Sequence, residues 1–155
     1  LSCKDYLVAR IEQLLNERKL FRERVWQQPE EHKEEQDTYE QFLVKKDVQF
    51  IEKIHQVIEE NLDNSDFNID TIASTIGLSR SAFFKKLKSL TGFAPVDLVK
   101  EIRLNKSIEL IKNSDMSISE IAFAVGFKDS GYFSKCFRKK YDQTPREYMN
   151  EWRKG

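Results

Sequence analysis

Hydrophobic residues recur along this chain at steps of three and four, the period of one face of an α-helix. Leu7, Ile11, Leu14, Phe21 and Val25 form the first stripe, with Arg18 at the missing step and charged residues between. The pattern predicts an amphipathic helix ending near residue 25. From Trp26 to Thr38 the chain holds a proline, an acidic majority and almost no apolar residue, so residues 26–46 read as an acidic linker. A second stripe, Val48, Ile51, Ile54, Val57, Ile58 and Leu62, predicts a helix that begins at Asp47 and stops at the polar run Asp63, Asn64, Ser65, Asp66.

Start and stop signals then crowd together. Asn68 or Asp70 caps a short helix over 69–76, which Gly77 ends; Ser79 caps the next, to about Leu90, ahead of Thr91 and Gly92. Pro95 suits the first turn of a long helix reaching Asn113, because the N–H it lacks would be unpaired there. Ser117 and Glu120 have the spacing of a capping box and open a helix that ends at Gly126. Two further helices are expected over about 130–141 and 145–153.

Two of these segments repeat each other. Ile72, Ala73 and Gly77 match Ile121, Ala122 and Gly126 at an offset of 49, while Phe83, Leu87 and Pro95 match Phe133, Phe137 and Pro145 at an offset of 50. The extra residue falls in the turn, where insertion is tolerated. Each unit is a short helix, a glycine turn and a longer helix with basic residues off its apolar stripe, the sequence form of a helix-turn-helix. Ala73 and Ala122 supply the small residue needed where the second helix crosses the first. In unit one Ser81, Lys85 and Lys88 lie away from the stripe of Phe83, Leu87 and Leu90. Gly131, Lys135 and Arg138 hold the equivalent places in unit two, with Ser134 beside them. Short polar and basic side chains on such a face can enter a major groove, where Lys or Arg reads guanine edges and Ser reads several bases.

Charge refines this picture. The chain of 155 residues carries 26 basic and 26 acidic side chains, but residues 67–155 hold 16 basic against 10 acidic, and residues 47–66 hold 1 against 6. Zero net charge taken whole argues against a nucleic-acid binder, but the positive excess coincides with the repeated units, a moderate excess compatible with a focused basic face. Scarce Gly (5) and Pro (3) beside 34% charged residues fit a helical protein better than a β-sandwich. No apolar run approaches the roughly 20 residues that cross a bilayer, and no signal peptide is present, so a cytoplasmic chain without membrane contact is expected. The first residue is Leu1 rather than Met, which suggests a piece of a longer protein.

Residues 47–153 resemble the DNA-binding domain of the AraC/XylS family of bacterial transcription regulators. The resemblance is most specific from Ile118 to Tyr148, through Ile121-Ala122, Gly126-Phe127, Tyr132-Phe133, Phe137-Arg138-Lys139, Thr144-Pro145 and Tyr148. It implies an all-α fold: two helix-turn-helix subdomains, over about 69–92 and 118–142, joined by a long linker helix and preceded here by the amphipathic helix and the acidic linker. Asp142 replaces a glycine common in the family, a small change because Asp tolerates turn conformations. Gly131 stands where a larger polar residue is usual, so a base contact is in doubt there. Phe84, large and apolar near the proposed DNA face, is expected to pack rather than to touch a thymine methyl. Residues 4–25 resemble the last helix of a response-regulator receiver domain, which implies the output end of a two-component protein, such as a hybrid histidine kinase.

Ser81, Lys85, Gly131, Ser134 and Lys135 are therefore the candidate base contacts, and Arg80, Lys88, Arg138, Lys139 and Lys140 the candidate phosphate contacts. The expected partners are double-stranded DNA, a second copy of the chain through Leu7, Ile11, Leu14, Phe21 and Val25, and RNA polymerase. The alternative is a helical interaction module that binds an acidic protein. No cofactor or metal is expected, since Cys3 and Cys136 lack CxxC spacing and only His32 and His55 accompany them. Enzymatic activity in this chain is not expected either: no nucleophile has a base at recognisable spacing, no glycine-rich phosphate loop occurs, and His55 lacks a phosphoacceptor setting. A kinase activity would belong to a longer parent.

Overall fold

The computed structural model describes residues 3–25 and 30–153, without the side chains of residues 3, 18, 19, 21–25 and 30–37. Among the described residues there are eight helices and no strand: α1 Cys3–Val25, α2 Glu30–Glu60, α3 Ile69–Ile76, α4 Arg80–Thr91, α5 Pro95–Asn113, α6 Ile118–Ala124, α7 Ser130–Tyr141 and α8 Pro145–Arg153. None of them is long and apolar enough to cross a membrane.

Local chemistry sets the boundaries of the repeated units. The Asn68 side chain accepts from the Thr71 N–H, and the Ser79 side chain from the Ala82 N–H, at the starts of α3 and α4. Both partners of the capping box are in place at α6: the Ser117 hydroxyl accepts from the Glu120 N–H, and the Glu120 carboxylate accepts from the Ser117 N–H at 2.9 Å. Asp142 closes α7 at φ 59°, the left-handed conformation that Gly92 takes, at φ 78°, at the end of α4.

The apolar stripes meet in one core. Ile72, Ala73, Phe83 and Leu87 pack in the first unit, and Ile121, Ala122, Phe133 and Phe137 in the second, all buried. The second core is aromatic: Phe133 lies 5.2 Å from Phe127 and 5.8 Å from Phe137, centroid to centroid, and Phe137 meets Tyr148 of α8 edge-on at 5.8 Å. Arg153 of α8 donates to the carbonyls of Ile111 and Met116 at 3.0 and 2.9 Å, fixing α8 against the end of α5. Such donors satisfy helix carbonyls that have no partner within the helix.

Two expectations change here. The acidic linker is helical from Glu30, so the expected boundary at residue 46 falls inside α2. Its composition explains why: from Glu30 to Glu60 there is no Gly or Pro, and Glu, Gln and Lys are good helix formers. A polar segment of this kind can be a solvated helix as readily as a linker.

The second change concerns the N-terminal seam. Leu7 and Ile11 are 0% and 4% exposed within a single chain, because α1 lies against α2, α4 and α5. They are therefore unavailable for pairing two copies. Leu14 is half-buried beside Tyr39, Leu43 and Leu90, while the side chains of Phe21 and Val25 lie outside the described residues. The physical reason is concentration: an apolar face tethered to its own α2 and α4 meets them before it meets a second molecule.

Candidate nucleic-acid interface

Helices α4 and α7 present the same arrangement. Their buried residues, Phe83 and Leu87 in one and Phe133 and Phe137 in the other, turn the opposite face to solvent. On that face of α4, Ser81, Lys85 and Lys88 are exposed; on α7, Gly131, Lys135, Arg138 and Lys139 are exposed. The structure thus brings nearly all of the candidate residues onto two equivalent surfaces. Arg80 is exposed as well, paired at 3.4 Å with Asp70 across the turn of unit one. An exposed pair of this kind contributes roughly 0–1 kcal/mol and can be exchanged for a stronger phosphate contact.

Three positions depart from the expected face. Lys140 turns inward, only 20% exposed at its side chain, to pair with Glu101 of α5 and donate to the Asn105 Oδ1 at 2.9 Å. One helical turn explains this, since Lys140 follows Phe133 by seven and Phe137 by three and so shares their inward side. Ser134 is half-buried rather than exposed. Phe84, expected to pack, is 47% exposed on α4, at the position matched by Ser134 in α7. It borders the apolar stripe without lying in it, so no neighbouring element covers it.

The start of α7 is organised by Asp129, whose carboxylate accepts from the Gly131 N–H at 2.7 Å. Gly131 brings no side chain to this exposed first turn, and its N–H is held by the Asp129 cap. Lys128 lies just ahead of it, paired with Asp66 at 3.1 Å. Lys128 was not among the sequence candidates because it sits in the turn, outside either helical face. Arg103, inside α5, was missed for a different reason: its partners are backbone carbonyls far away in the chain, and no local pattern shows them. Among the described residues no group of three or more His, Cys, Asp or Glu could hold a metal.

Comparison with known proteins places this arrangement. The helix-turn-helix domain family matches residues 72–151. Histidine kinase P4 of Formosa agariphila is 38% identical over 106 residues, which are 68% of this chain but 8% of that protein, so the chain spans a small part of the length of that relative. The C-terminal domain of the two-component response regulator yesN from Fusobacterium nucleatum superposes with a TM-score of 0.59 at 31% identity, over 63% of this chain and 95% of that one. The DNA-binding domain of AdpA, a global transcriptional factor solved in complex with a target DNA, gives 0.62 at 28% identity, over 68% and 93%.

Proposed function

Because this chain belongs to the AraC-type family of helix-turn-helix domains, we propose that it is a sequence-specific DNA-binding transcription regulator that sets α4 and α7 into successive major grooves. The observation that carries this reading is the duplicated face: two helices built on matching cores, each with exposed lysine at the same central place, Lys85 and Lys135. Lys85 and Lys135, with Ser81, read base edges, while half-buried Ser134 lies at the margin of that face; Arg80, Lys88, Arg138 and Lys139 hold phosphates and set the register. Gly131 makes no side-chain contact with a base; its place on the face leaves room for the groove beside Lys135.

Similarity to a histidine kinase and to the C-terminal domain of a response regulator supports a role as the output module of a two-component protein. In that setting any kinase chemistry lies elsewhere in the parent, the location is cytoplasmic, and RNA polymerase is the further partner.

The test is a titration with selected and random duplexes at several salt concentrations. Releasing counterions from about four phosphates gives a slope of about −3 to −4 in log K against log salt. Selected duplexes should bind more tightly than random ones at every salt concentration. A salt-independent affinity, or equal affinity for all sequences beside tight binding to an acidic protein, would replace this reading with that of an interaction module.

A further inference from the structure

The two helix-turn-helix units are joined by more than the length of α5. Arg103, midway along that helix, donates from Nη1 to the carbonyl of Gly126 at 3.1 Å and from Nη2 to the carbonyl of Asn64 at 3.4 Å. Gly126 is the turn of the second unit, and Asn64 lies in the loop that leads into α3 of the first. One planar guanidinium, with its donors in a fixed fork, therefore bridges both units.

The surroundings leave this bridge little freedom. Gly126 has φ +93°, and a Cβ there would lie 2.2 Å from the Leu62 carbonyl oxygen and 2.9 Å from the Arg103 Cζ. The turn of unit two is thus seated directly on Leu62, in the turn just beyond α2. Lys128 and Asp66 join the same two segments at 3.1 Å, but both side chains are well exposed, so that pair contributes little. Beside the bridge a cleft of about 450 Å³ separates the units, with Phe67, Val96, Val99 and Tyr132 on its walls. The units do not close on each other along this cleft, so beside the packing of both on α5 the half-buried Arg103 fork is the polar tie that reaches from one to the other.

We propose that Arg103 is a positioning residue that holds the two recognition helices at one relative orientation, so that the chain selects the spacing and phase of its half-sites as well as their sequence. The inference rests on the DNA-binding reading above. Each added base pair moves the second half-site by about 3.4 Å and turns it by about 34–36° around the duplex axis. A pair of helices held rigidly loses one set of contacts under that change, whereas a loosely joined pair follows it. The hydrogen-bond partners of Arg103 are loop carbonyls and not atoms of either core, so its replacement is expected to leave both cores, around Phe83 and Phe133, in place.

The experiment takes a site selected by the wild-type chain and changes its central spacing by one base pair in either direction. The wild type is expected to prefer the selected spacing by about tenfold or more, Arg103→Gln by no more than about threefold, and Arg103→Lys by an intermediate factor. Affinity of Arg103→Gln for a single half-site should stay within about twofold of wild type. A readout without DNA accompanies this: spin labels at Thr75→Cys and Ser119→Cys, in a Cys3→Ser background, report the distance between units. That distribution should broaden in Arg103→Gln. An unchanged spacing preference in Arg103→Gln, or a loss of equal size on every duplex including the half-site, overturns the proposal. If the wild type bound no duplex at all, the DNA-binding reading would fail, and the label distances alone would decide the clamp: an unbroadened distribution rejects it.

Discussion

At the scale of single residues, burial decides which charged groups face solvent and which serve the fold. His55 is 4% exposed, its Nε2 has no hydrogen-bond partner, and burial, with Lys4 nearby, lowers its pKa to about 4. An unfolded histidine takes up a proton near pH 6.5, so between about 6.5 and 4 the unfolded chain is protonated where the folded one is not. Stability contributed by this residue is complete above pH 6.5 and falls as the pH drops to 4, by on the order of 3 kcal/mol. Urea unfolding of the wild type and of His55→Gln at pH 7.5, 5.5 and 4 should show the wild type losing ground to the variant as the pH falls; a constant difference would refute it. Lys140 gives a second prediction. Lys140→Ala should cost about 1 kcal/mol of stability through its lost partners on α5 and leave the salt slope of DNA binding unchanged. Lys139→Ala should instead reduce the magnitude of that slope by about 0.9. Equal effects of the two substitutions on the slope would mean that Lys140 swings out to the phosphates.

At the scale of elements, the helices of the two units are set by signals that lie within a few residues of one another. Asn68, Ser79 and the Ser117–Glu120 pair act where their spacing places them, because a cap needs only its own first turn. The N-terminal part is different. Residues 30–46 carry no strong stripe, and their helicity follows from an unbroken run of helix formers that continues into the buried face of Phe50, Ile51 and Ile54. The place of α1 was hidden as well, since an amphipathic seam says that a partner exists but not which one. Leu7, fully buried in that seam, fills space between α1 and the domain. Leu7→Ala should therefore destabilise the whole chain by about 2 to 5 kcal/mol, measured by denaturant titration. A loss below about 0.5 kcal/mol, the size expected for a surface position, would show that α1 is not docked in solution.

At the scale of the whole molecule, α5 and its attachments decide how two small units act as one. Its 19 residues span about 28 Å, close to the separation of roughly 34 Å between successive major grooves. Hydroxyl-radical footprinting should therefore show two protected patches on one face of the duplex, centred about 10 base pairs apart. Lys85→Ala should weaken binding by roughly 1 to 3 kcal/mol and relax base preference in one patch, and Lys135→Ala should do the same in the other. Protection of a single patch at saturation would contradict the two-groove geometry.

The amino-acid sequence by itself determined the helices from Ile69 onward, the repeat that pairs α4 with α7, and the outward face carrying Ser81, Lys85, Lys88, Lys135 and Arg138. Those features depend on period and capping, which act over one or two turns of chain. Only the tertiary structure decided that α1 docks on its own domain, that Lys140 faces Glu101 and Asn105, that Phe84 is left uncovered, and that Arg103 reaches both Gly126 and Asn64. Each of these is a meeting between segments distant in the chain, or the absence of one. Such meetings depend on the angles at which helices cross, and helical periodicity carries no record of those angles.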